Sequence, residues 1–270
     1  MCGFPLAQID KHLKVLVQQK KRFVAMCEEF PRLSEQGSKV FDRRVVRVIT
    51  PGTLIDESFL NPYENNYLLS LSIPEPPKPA GLVGLAWIDI STGEFFSKTT
   101  AFENLRDELV RLAPREVVLD KKLEGMTSHP AFQTLQEEES FVSYASILDS
   151  TGILSSPATK HFAGPRQGRD DPDSGYARGP LGTQETMAVG LLTAYLHANL
   201  LEQMPSLTSP NRESAECRMQ VDSHTIRALE IREEIRGGSS KGTLLSAIKR
   251  TTTSGGTRLL ARWLCKTISF

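Results

Sequence analysis

Residues 82–99, LVGLAWIDISTGEFFSKT, decide the fold class of this 270-residue chain. Two β-prone runs, 82–90 and 94–99, flank Ser91-Thr92-Gly93. Short polar residues ending in glycine between two such runs are typical of a hairpin turn. The stretch therefore predicts two antiparallel strands.

Strand and helix patterns continue on both sides of this hairpin. A strand is predicted at 68–73, and the proline-rich residues 74–79 must form a loop because proline cannot donate to a β-ladder. Residues 102–112 repeat Phe or Leu at helical spacing, and 117–119 returns as an apolar strand. Strands followed by alternating helix and strand indicate a mixed α/β sheet domain. Residues 155–182 hold five glycines and four prolines, which predicts a flexible insertion.

An amphipathic helix and two strands precede the sheet. The strands are predicted from β-prone runs at 23–26 and 45–49, and Thr50-Pro51-Gly52 closes the second run as a turn. The helix is predicted from an apolar stripe at helical spacing. The stripe consists of Ile9, Leu13, Leu16 and Val17.

The pattern becomes helical after about residue 183. The fold class is therefore α/β followed by all-α, with a domain change near residue 207. Ser254-Gly255-Gly256 is predicted to interrupt the last helical stretch. The helical stretches are 183–201, 222–236 and 243–263.

The 32 basic and 32 acidic residues cancel overall but are unevenly placed. Residues 1–50 carry ten Lys or Arg against five acids, and residues 226–270 carry nine against three. Residues 103–149 carry ten acids against five bases. A polyanion is therefore expected to be drawn to the two ends rather than to the middle.

Several protein classes are excluded by composition. The cysteines lie far apart without a CxxC motif, which implies neither a disulfide framework nor a zinc site and fits a reducing compartment. No apolar run approaches the roughly 20 residues of a membrane span, and the first residues lack the layout of a secretory signal. The opening residues run straight into a helix pattern, so we expect the chain to begin mid-domain, with any targeting segment upstream. The cysteines are Cys2, Cys27, Cys217 and Cys265.

Asp89 is a candidate metal ligand, because it ends an apolar strand before a hairpin, where a ribonuclease H-type nuclease places a catalytic carboxylate. Such a site needs several converging acids to hold two cations. Glu94, Glu103 and Asp107 are near in sequence, but Glu103 and Asp107 lie on the solvent side of the helix pattern. A turn-forming Asp89 is the preferred interpretation.

The other candidate motifs also favour structural interpretations. In the glycine-rich residues 237–243 the lysine precedes the second glycine, so the segment fails as a phosphate loop and Thr243 is predicted to cap a helix. The basic residues 20–22, and Arg43 and Arg44 with Arg47, could contact phosphate. A solvated face is favoured because no aromatic residues interleave. No histidine has a second ligand at i+3 or i+4, so scattered structural histidines are expected: His12, His129, His161, His197 and His224.

The ordered segments resemble the MutS family of DNA mismatch-repair proteins. The strongest match is residues 44–57, which resemble the strand and turn that leave the family's mismatch-binding domain. Residues 85–95 are similar to the opening hairpin of its connector domain. The remaining matches are 3–5 and 24–29 in the mismatch-binding domain, and 222–231 and 242–264 in the first helices of the core or lever domain.

The resemblance implies a homologue of clamp-shaped dimers that probe duplex DNA for mismatches and couple recognition to ATP. It divides the chain into the end of the mismatch-binding domain (1–62), the connector (63–207) and the start of the helical core (208–270). The connector would have a ribonuclease H-like sheet without nuclease activity and would carry the flexible insertion. Gly3 and Arg47 would lie nearest DNA.

The resemblance also implies what this chain lacks. The family's Phe-x-Glu wedge is expected upstream of Met1 and its ATPase downstream of Phe270. The chain is therefore expected to have no catalytic, ATP-binding or metal-binding residue and no cofactor, whereas the full-length family uses ATP and magnesium. Docking of a MutL-type partner is in doubt, because that surface lies near the insertion.

Within the family, Gly3-Phe4-Pro5, Glu28-Glu29 and residues 53–57 are most similar to the mitochondrial MutS homologues of fungi. The implied location is mitochondrial, with a nuclear location as the alternative. Two other functions stay open: a stand-alone interaction module built on the connector, and a metal-dependent nuclease that uses Asp89.

Overall fold

The computed structural model describes residues 3–33, 39–55, 60–61, 64–74, 81–126, 129–147, 181–213, 218–219, 221–235, 240–265 and 267–268. The strands are β1 (Val24–Leu33), β2 (Lys39–Ile49), β3 (Tyr67–Ser72), β4 (Leu82–Asp89), β5 (Glu94–Ala101), β6 (Glu116–Asp120), β7 (Val142–Ala145), β8 (Asn211–Arg212), β9 (Arg218–Met219) and β10 (Thr267–Ile268). The helices are α1 (Ile9–Leu13), α2 (Leu105–Leu112), α3 (Pro130–Glu137), α4 (Thr183–Leu200), α5 (Ser223–Ala228), α6 (Leu244–Ile248) and α7 (Ser254–Leu264).

The main sheet has the strand order β7-β6-β3-β4-β5-β8. Strands β3, β4 and β5 form an antiparallel meander, and β6 and β7 add parallel strands beside β3. The β4–β5 hairpin ends with Asp89 opposite Glu94, and Gly93 adopts φ +71°, a left-handed conformation that favours glycine. The predicted hairpin and the mixed α/β sheet are confirmed.

Helices cover both faces of this sheet. Leu85 and Trp87 of β4 join the core beneath α2 and α3, whereas Ala86 and Ile88 join the core beneath α4. Successive residues of a strand point to opposite faces. Because both faces are buried, β4 is a nearly continuous apolar run.

Helix α4 approaches the sheet closely at Gly84. A Cβ on Gly84 would lie 2.0 Å from the carbonyl oxygen of Gln184, in the first turn of α4. The helix begins there because the Gly182 amide donates to Glu185 Oε2 at 2.9 Å, which caps the N-terminus. Glycine at position 84 is therefore a packing requirement.

The first unit consists of helix α1 and the antiparallel strand pair β1–β2. We call this strand pair the ribbon. Helix α1 continues as a π-helical turn at Lys14–Gln19, and Leu13 and Val17 are buried against Ile49. Leu16 is 41% exposed, so the predicted stripe is wrong at that position. The wider turn places residue i+4 rather than i+3 above Leu13.

Both ribbon strands are longer than the sequence pattern predicted. They pair from Val24 opposite Ile49 to Leu33 opposite Lys39, instead of covering only 23–26 and 45–49. Polar residues extend the strands because the ladder of backbone hydrogen bonds does not depend on side-chain type.

The helical segment, which we define as 221–265, differs from the prediction in two places. The predicted helix 222–236 ends at Ala228, because Glu230 adopts a left-handed φ of +44°. Gly255 and Gly256 do not interrupt a helix but lie in the first turn of α7, whose N-cap Thr253 accepts from the Gly256 amide at 3.1 Å. Three short helices are present, with non-helical residues at 229–235 and 249–253. The prediction that the chain is all-α after the sheet is wrong in part, because β8 joins the main sheet and β9 pairs with β10.

Two predicted loops fall largely outside the described residues. These are the proline-rich residues 74–79, of which only residue 74 is described, and the insertion 155–182, of which only residues 181 and 182 are described. None of the described helices combines the length and the apolar character needed to cross a membrane.

Substituting Gly84 by Ala tests the contact between α4 and β4. The new methyl group has to displace the backbone of Gln184, so we expect a loss of roughly 1–3 kcal/mol or more in the free energy of unfolding, measured with urea.

Gly190→Ala is the matched control, because position 190 lies inside α4 with nothing within 4 Å of a Cβ. Alanine there should stabilise the helix by roughly 0.5–1 kcal/mol. Equal effects of the two substitutions would contradict the close approach at Gly84.

Candidate nucleic-acid interface

The ribbon presents basic side chains on β2. Arg43 and Arg44 are exposed, and Arg43 lies opposite Glu29 in the strand register. Arg43 Nη2 is 2.8 Å from Glu29 Oε1, and both side chains are more than half exposed. An exposed pair of this kind contributes little to stability, so the arginine remains open to exchange its partner.

An aromatic ring lies beside this basic group. The guanidinium of Arg44 is 4.5 Å from the centroid of the Phe30 ring, which is within the range of a cation–π contact. No aromatic residue interleaves with these arginines along the sequence, but the strand pair brings the Phe30 ring beside Arg44. Pairing of the two strands makes Phe30 and Arg44 diagonal neighbours, although 14 positions separate them in sequence.

Both residues predicted to lie nearest DNA belong to the first unit. Gly3 precedes α1, is exposed and has open space where a Cβ would be. Arg47 lies half-buried on β2 opposite Met26, beside an irregularity of the ladder. Their contact with DNA stays a prediction.

A second basic group, residues 20–22, lies between the first helix and β1. Lys20, Lys21 and Arg22 are all exposed, and Lys21 adopts a left-handed φ of +50° where the chain turns into the ribbon. The turn places this group on the same unit as the arginines of β2.

The helical segment packs against the sheet domain, which we define as the main sheet with helices α2, α3 and α4. Ion pairs join the two parts, and in each pair the acid belongs to the sheet domain. The acids come from the β4–β5 hairpin and the end of α3, and the bases from α5 and α7. The pairs are Arg227 with Glu138, Arg258 with Asp89 at 3.9 Å, and Arg262 with Glu94 at 3.1 Å.

These pairs engage three of the nine basic residues in 226–270, whereas attraction of a polyanion to the two ends stays a prediction. Three arginines near the C-terminal end already face carboxylates of the sheet domain, and one of these acids, Glu138, lies in the acidic stretch 103–149. Opposite charges at such short distances attract each other strongly when partly buried. The basic surface of the ribbon is therefore the better candidate for contact with nucleic acid.

Asp107 takes part in the same docking contact. Its Oδ1 accepts a hydrogen bond from the Ser223 amide at 2.7 Å, at the N-terminus of α5. The prediction that Asp107 faces solvent is wrong, because the helical segment covers that side of α2. Glu103 is exposed as predicted.

The preferred interpretation of Asp89 is confirmed. Its Oδ1 accepts from the Ser91 amide at 3.0 Å and from the Ser91 hydroxyl at 2.6 Å, which closes the hairpin turn. Its Oδ2 accepts from the Asn66 amide at 3.0 Å. Donors from the hairpin turn and from Asn66 before β3 therefore occupy the two carboxylate oxygens.

Histidine and cysteine play local roles where the structure describes them. His129 caps α3, since its Nδ1 accepts from the Ala131 amide at 3.0 Å, and burial lowers the pKa of His129. The His12 ring lies 4.4 Å from the Phe4 ring. Cys265 is buried and Cys27 exposed, both as free thiols. Within the described ranges, no group of three His, Cys, Asp or Glu residues is arranged to hold a metal ion.

Thr243 caps a helix as predicted. Its side chain accepts from the Ser246 amide at 3.2 Å, and Gly242 before it adopts φ +89°. Residues 237–239 of the failed phosphate-loop motif lie outside the described part of the chain.

A buried ionic cluster escaped the sequence analysis. Glu108 on α2 is 1% exposed and bonds to Lys98 of β5 and to Arg111, whose Nη2 lies 2.5 Å from Glu108 Oε2. Arg111 also reaches Glu213, just after β8, at 3.2 Å. The only local signal was the i, i+3 spacing of Glu108 and Arg111, which is common on solvated helices.

A buried carboxylate at the start of β6 was also missed. Glu116 is fully buried and is bonded to the turn after β2, to β7 and to α4. Burial, with the neighbouring Glu116 carboxylate, raises the pKa of Tyr195 on α4, so its hydroxyl remains a donor. A glutamate between an arginine and an apolar strand has no local signature of such a role.

Models of three protein domains match the chain in order along its length. MutS domain I matches residues 1–58, MutS domain II matches 66–208 and MutS domain III matches 224–267. The domain II match alone covers more than half of the chain.

Proteins named DNA mismatch repair protein MutS are similar to the chain over nearly all of it. Those of Rhizobium meliloti (strain 1021), Dinoroseobacter shibae and Bradyrhizobium sp. (strain ORS 278) are each 34% identical, over 270, 271 and 274 residues. Each similarity covers 98% of this chain and 28% of the relative. The chain thus spans 28% of the length of these relatives.

Substituting Asp107 by Ala tests the docking of the helical segment. Loss of an acceptor at a helix N-terminus typically costs about 1 kcal/mol, so we expect that reduction in the free energy of unfolding and faster amide exchange in α5. Glu103→Ala is the control and should change stability by less than about 0.5 kcal/mol. Equal effects would show that Asp107 faces solvent after all.

The Glu108 cluster predicts an acid-dependent stability. Burial alone would raise the pKa of Glu108, but the charges of Arg111 and Lys98 outweigh burial and hold that pKa below its ordinary value of 4.5. The unfolded chain therefore binds this proton more readily. The stabilisation is present above about pH 4.5 and is lost as the pH falls through the lower pKa of the folded state.

Glu108→Gln should lower the free energy of unfolding at pH 7 by roughly 3 kcal/mol, because it removes the buried anion shared by Lys98 and Arg111 and leaves Arg111 paired with Glu213 alone. The difference from the parent chain should shrink as the pH falls below about 4.5 and through the lowered pKa of the folded carboxylate, where the parent also loses its charge. Urea unfolding from pH 3 to pH 7 measures this, with the exposed Glu202→Gln as the control. A difference independent of pH would contradict the role of the charge.

Proposed function

We propose, since the chain belongs to the MutS family of DNA mismatch repair proteins, that it supplies the DNA-contacting ribbon, the connector sheet and the first lever helices of a longer mismatch-recognition protein. One observation carries the proposal. The three family domains match in order on the first unit, on the main sheet and on the helical segment.

The domain boundaries proposed are 1–62, 63–207 and 208–270. The strand order supports a ribonuclease H-like connector, because an antiparallel meander is extended at its first strand by two parallel strands. We propose that this sheet is not catalytic. The turn contacts that occupy the Asp89 carboxylate support that proposal.

The proposed DNA contact lies on the first unit. Exposed Arg43 and Arg44 of the ribbon, together with residues 20–22, can approach phosphate groups, and we place Arg47 and Gly3 in the same contact. Phosphate contacts position a protein on duplex DNA without reading its sequence. Mismatch recognition is therefore assigned to the longer protein and not to these residues.

Further properties are proposed for the longer protein. It would bind duplex DNA containing mismatches, act as a dimer, and use ATP and magnesium outside the residues of this chain. A MutL-type partner is left aside because its expected surface lies near the insertion. Gly3-Phe4-Pro5, Glu28-Glu29 and residues 53–57 support a mitochondrial homologue of fungal type, with a nuclear location as the alternative. The relatives reported above are bacterial.

DNA binding by the 270-residue chain tests the proposal. We expect weak, salt-sensitive binding with dissociation constants on the order of 10⁻⁴ to 10⁻⁶ M at physiological salt, equal for matched and mismatched duplexes. Arg47→Ala and Arg44→Ala should weaken binding to both duplexes alike. Fluorescence titration of the two duplexes at two salt concentrations measures this.

Lys122→Ala is the control, because it removes one exposed positive charge from the sheet domain and leaves the ribbon intact. Negligible binding at low salt would favour the alternative of an interaction module. A tenfold preference for the mismatch, about 1.4 kcal/mol, would contradict the assignment of recognition to the longer protein. Magnesium-dependent cleavage lost in Asp89→Asn would instead establish a nuclease.

A further inference from the structure

The Glu116 carboxylate accepts a hydrogen bond at each of its four positions. Oε2 accepts from the Thr50 hydroxyl at 2.6 Å and from the Gly52 amide at 2.7 Å. Oε1 accepts from the hydroxyls of Ser143 and Tyr195, each at 2.5 Å. A carboxylate has about four lone-pair sites, so this buried charge is fully satisfied by neutral donors.

The donors come from distant parts of the chain. Thr50 and Gly52 lie in the turn at 50–53 by which the chain leaves β2 of the ribbon, and we call it the exit turn. Ser143 lies on β7 and Tyr195 on α4. The two oxygens of the Glu116 carboxylate therefore contact different parts of the molecule, the exit turn and the sheet domain. Oε2 holds the exit turn, and Oε1 is held in place by the sheet domain.

The exit turn sits directly on the sheet at this point. A Cβ on Gly52 would lie 2.6 Å from Leu68 Cδ1 and 2.9 Å from Glu116 Cβ, so only glycine permits the contact. The turn is closed internally, since the Thr50 amide donates to Thr53 Oγ1 at 2.9 Å. A second tie comes from Asn66, whose Nδ2 donates to the Pro51 carbonyl at 3.3 Å.

We propose that Glu116 is a positioning residue that fixes the direction in which the ribbon leaves the sheet domain. Its importance for DNA rests on the function proposed above, because a ribbon held in one orientation presents its arginines as one surface. Strand β2 also packs against α4 and Leu201–Gln203, and the Phe23 ring lies 5.9 Å from the Phe141 ring. The exit turn is the contact that Glu116 holds by hydrogen bonds, so loss of the Oε2 contacts should loosen the orientation of the ribbon while the sheet remains folded.

The test uses the isotopically labelled 270-residue chain and Glu116→Gln. The amide group of glutamine has one acceptor oxygen, so it cannot accept from both the exit turn and the sheet domain. We expect the Gly52 amide to exchange with solvent at least tenfold faster, while the paired β3 and β4 amides of Leu69 and Trp87 change by less than twofold. Residual dipolar couplings of the ribbon should no longer fit the alignment tensor of the sheet.

Two variants keep the result interpretable. Ser70→Ala removes a buried hydroxyl of β3 that bonds to the Ala188 carbonyl at 2.7 Å, and it should leave the Gly52 exchange and the single tensor unchanged. Thr50→Val replaces Glu116→Gln under the same criteria if the latter fails to fold, because it removes one donor on the Oε2 side and keeps the side-chain shape.

Any other pattern overturns the proposal. Equal acceleration in ribbon and sheet would make Glu116 a residue of global stability only, and a retained common tensor would show that it does not set the orientation. No DNA is present in these measurements, so failure of the DNA titration leaves this result unaffected and is read separately.

Discussion

The buried Glu116 carboxylate is the constraint on which the arrangement of the ribbon and the sheet depends. A charge removed from water must have its lone pairs filled, and leaving even one polar partner unsatisfied costs roughly 1–3 kcal/mol. Its four donors come from the exit turn, β7 and α4. These three elements must therefore be in place together, and the small Gly52 is what lets the turn reach the sheet.

A second constraint is the pairing of charge between the sheet domain and the helical segment. A chain with equal numbers of acids and bases can still present a basic surface if one group of bases is already neutralised. Arginines of α5 and α7 are neutralised in this way, because they pair with Glu138 at the end of α3 and with Glu94 of the hairpin. The ribbon keeps its basic side chains at the surface, where contact with phosphate costs little rearrangement.

The contacts of Asp89 bear on the role proposed for the sheet. Asp89 occupies the strand end at which a nuclease would hold a metal ion, yet its oxygens are committed to Ser91 and Asn66. The sheet domain instead contacts both neighbouring parts. Glu116 of β6 bonds to the first unit, and Asp107 of α2 bonds to the helical segment. Under the proposed function, such a scaffold would hold the ribbon and the helical segment in fixed positions relative to the sheet.

The sequence by itself determined several features that a few neighbouring residues control. The β4–β5 hairpin, the turn role of Asp89 and the cap at Thr243 follow from side chains within four positions of one another. Only the tertiary structure decided the roles of Glu116, Asp107 and Arg44, and the exposure of Leu16. Their partners lie 14 to 116 positions away, or depend on which face of a helix is packed. Local patterns cannot specify such contacts, because a charged residue beside an apolar strand looks the same whether water or a folded neighbour will meet it.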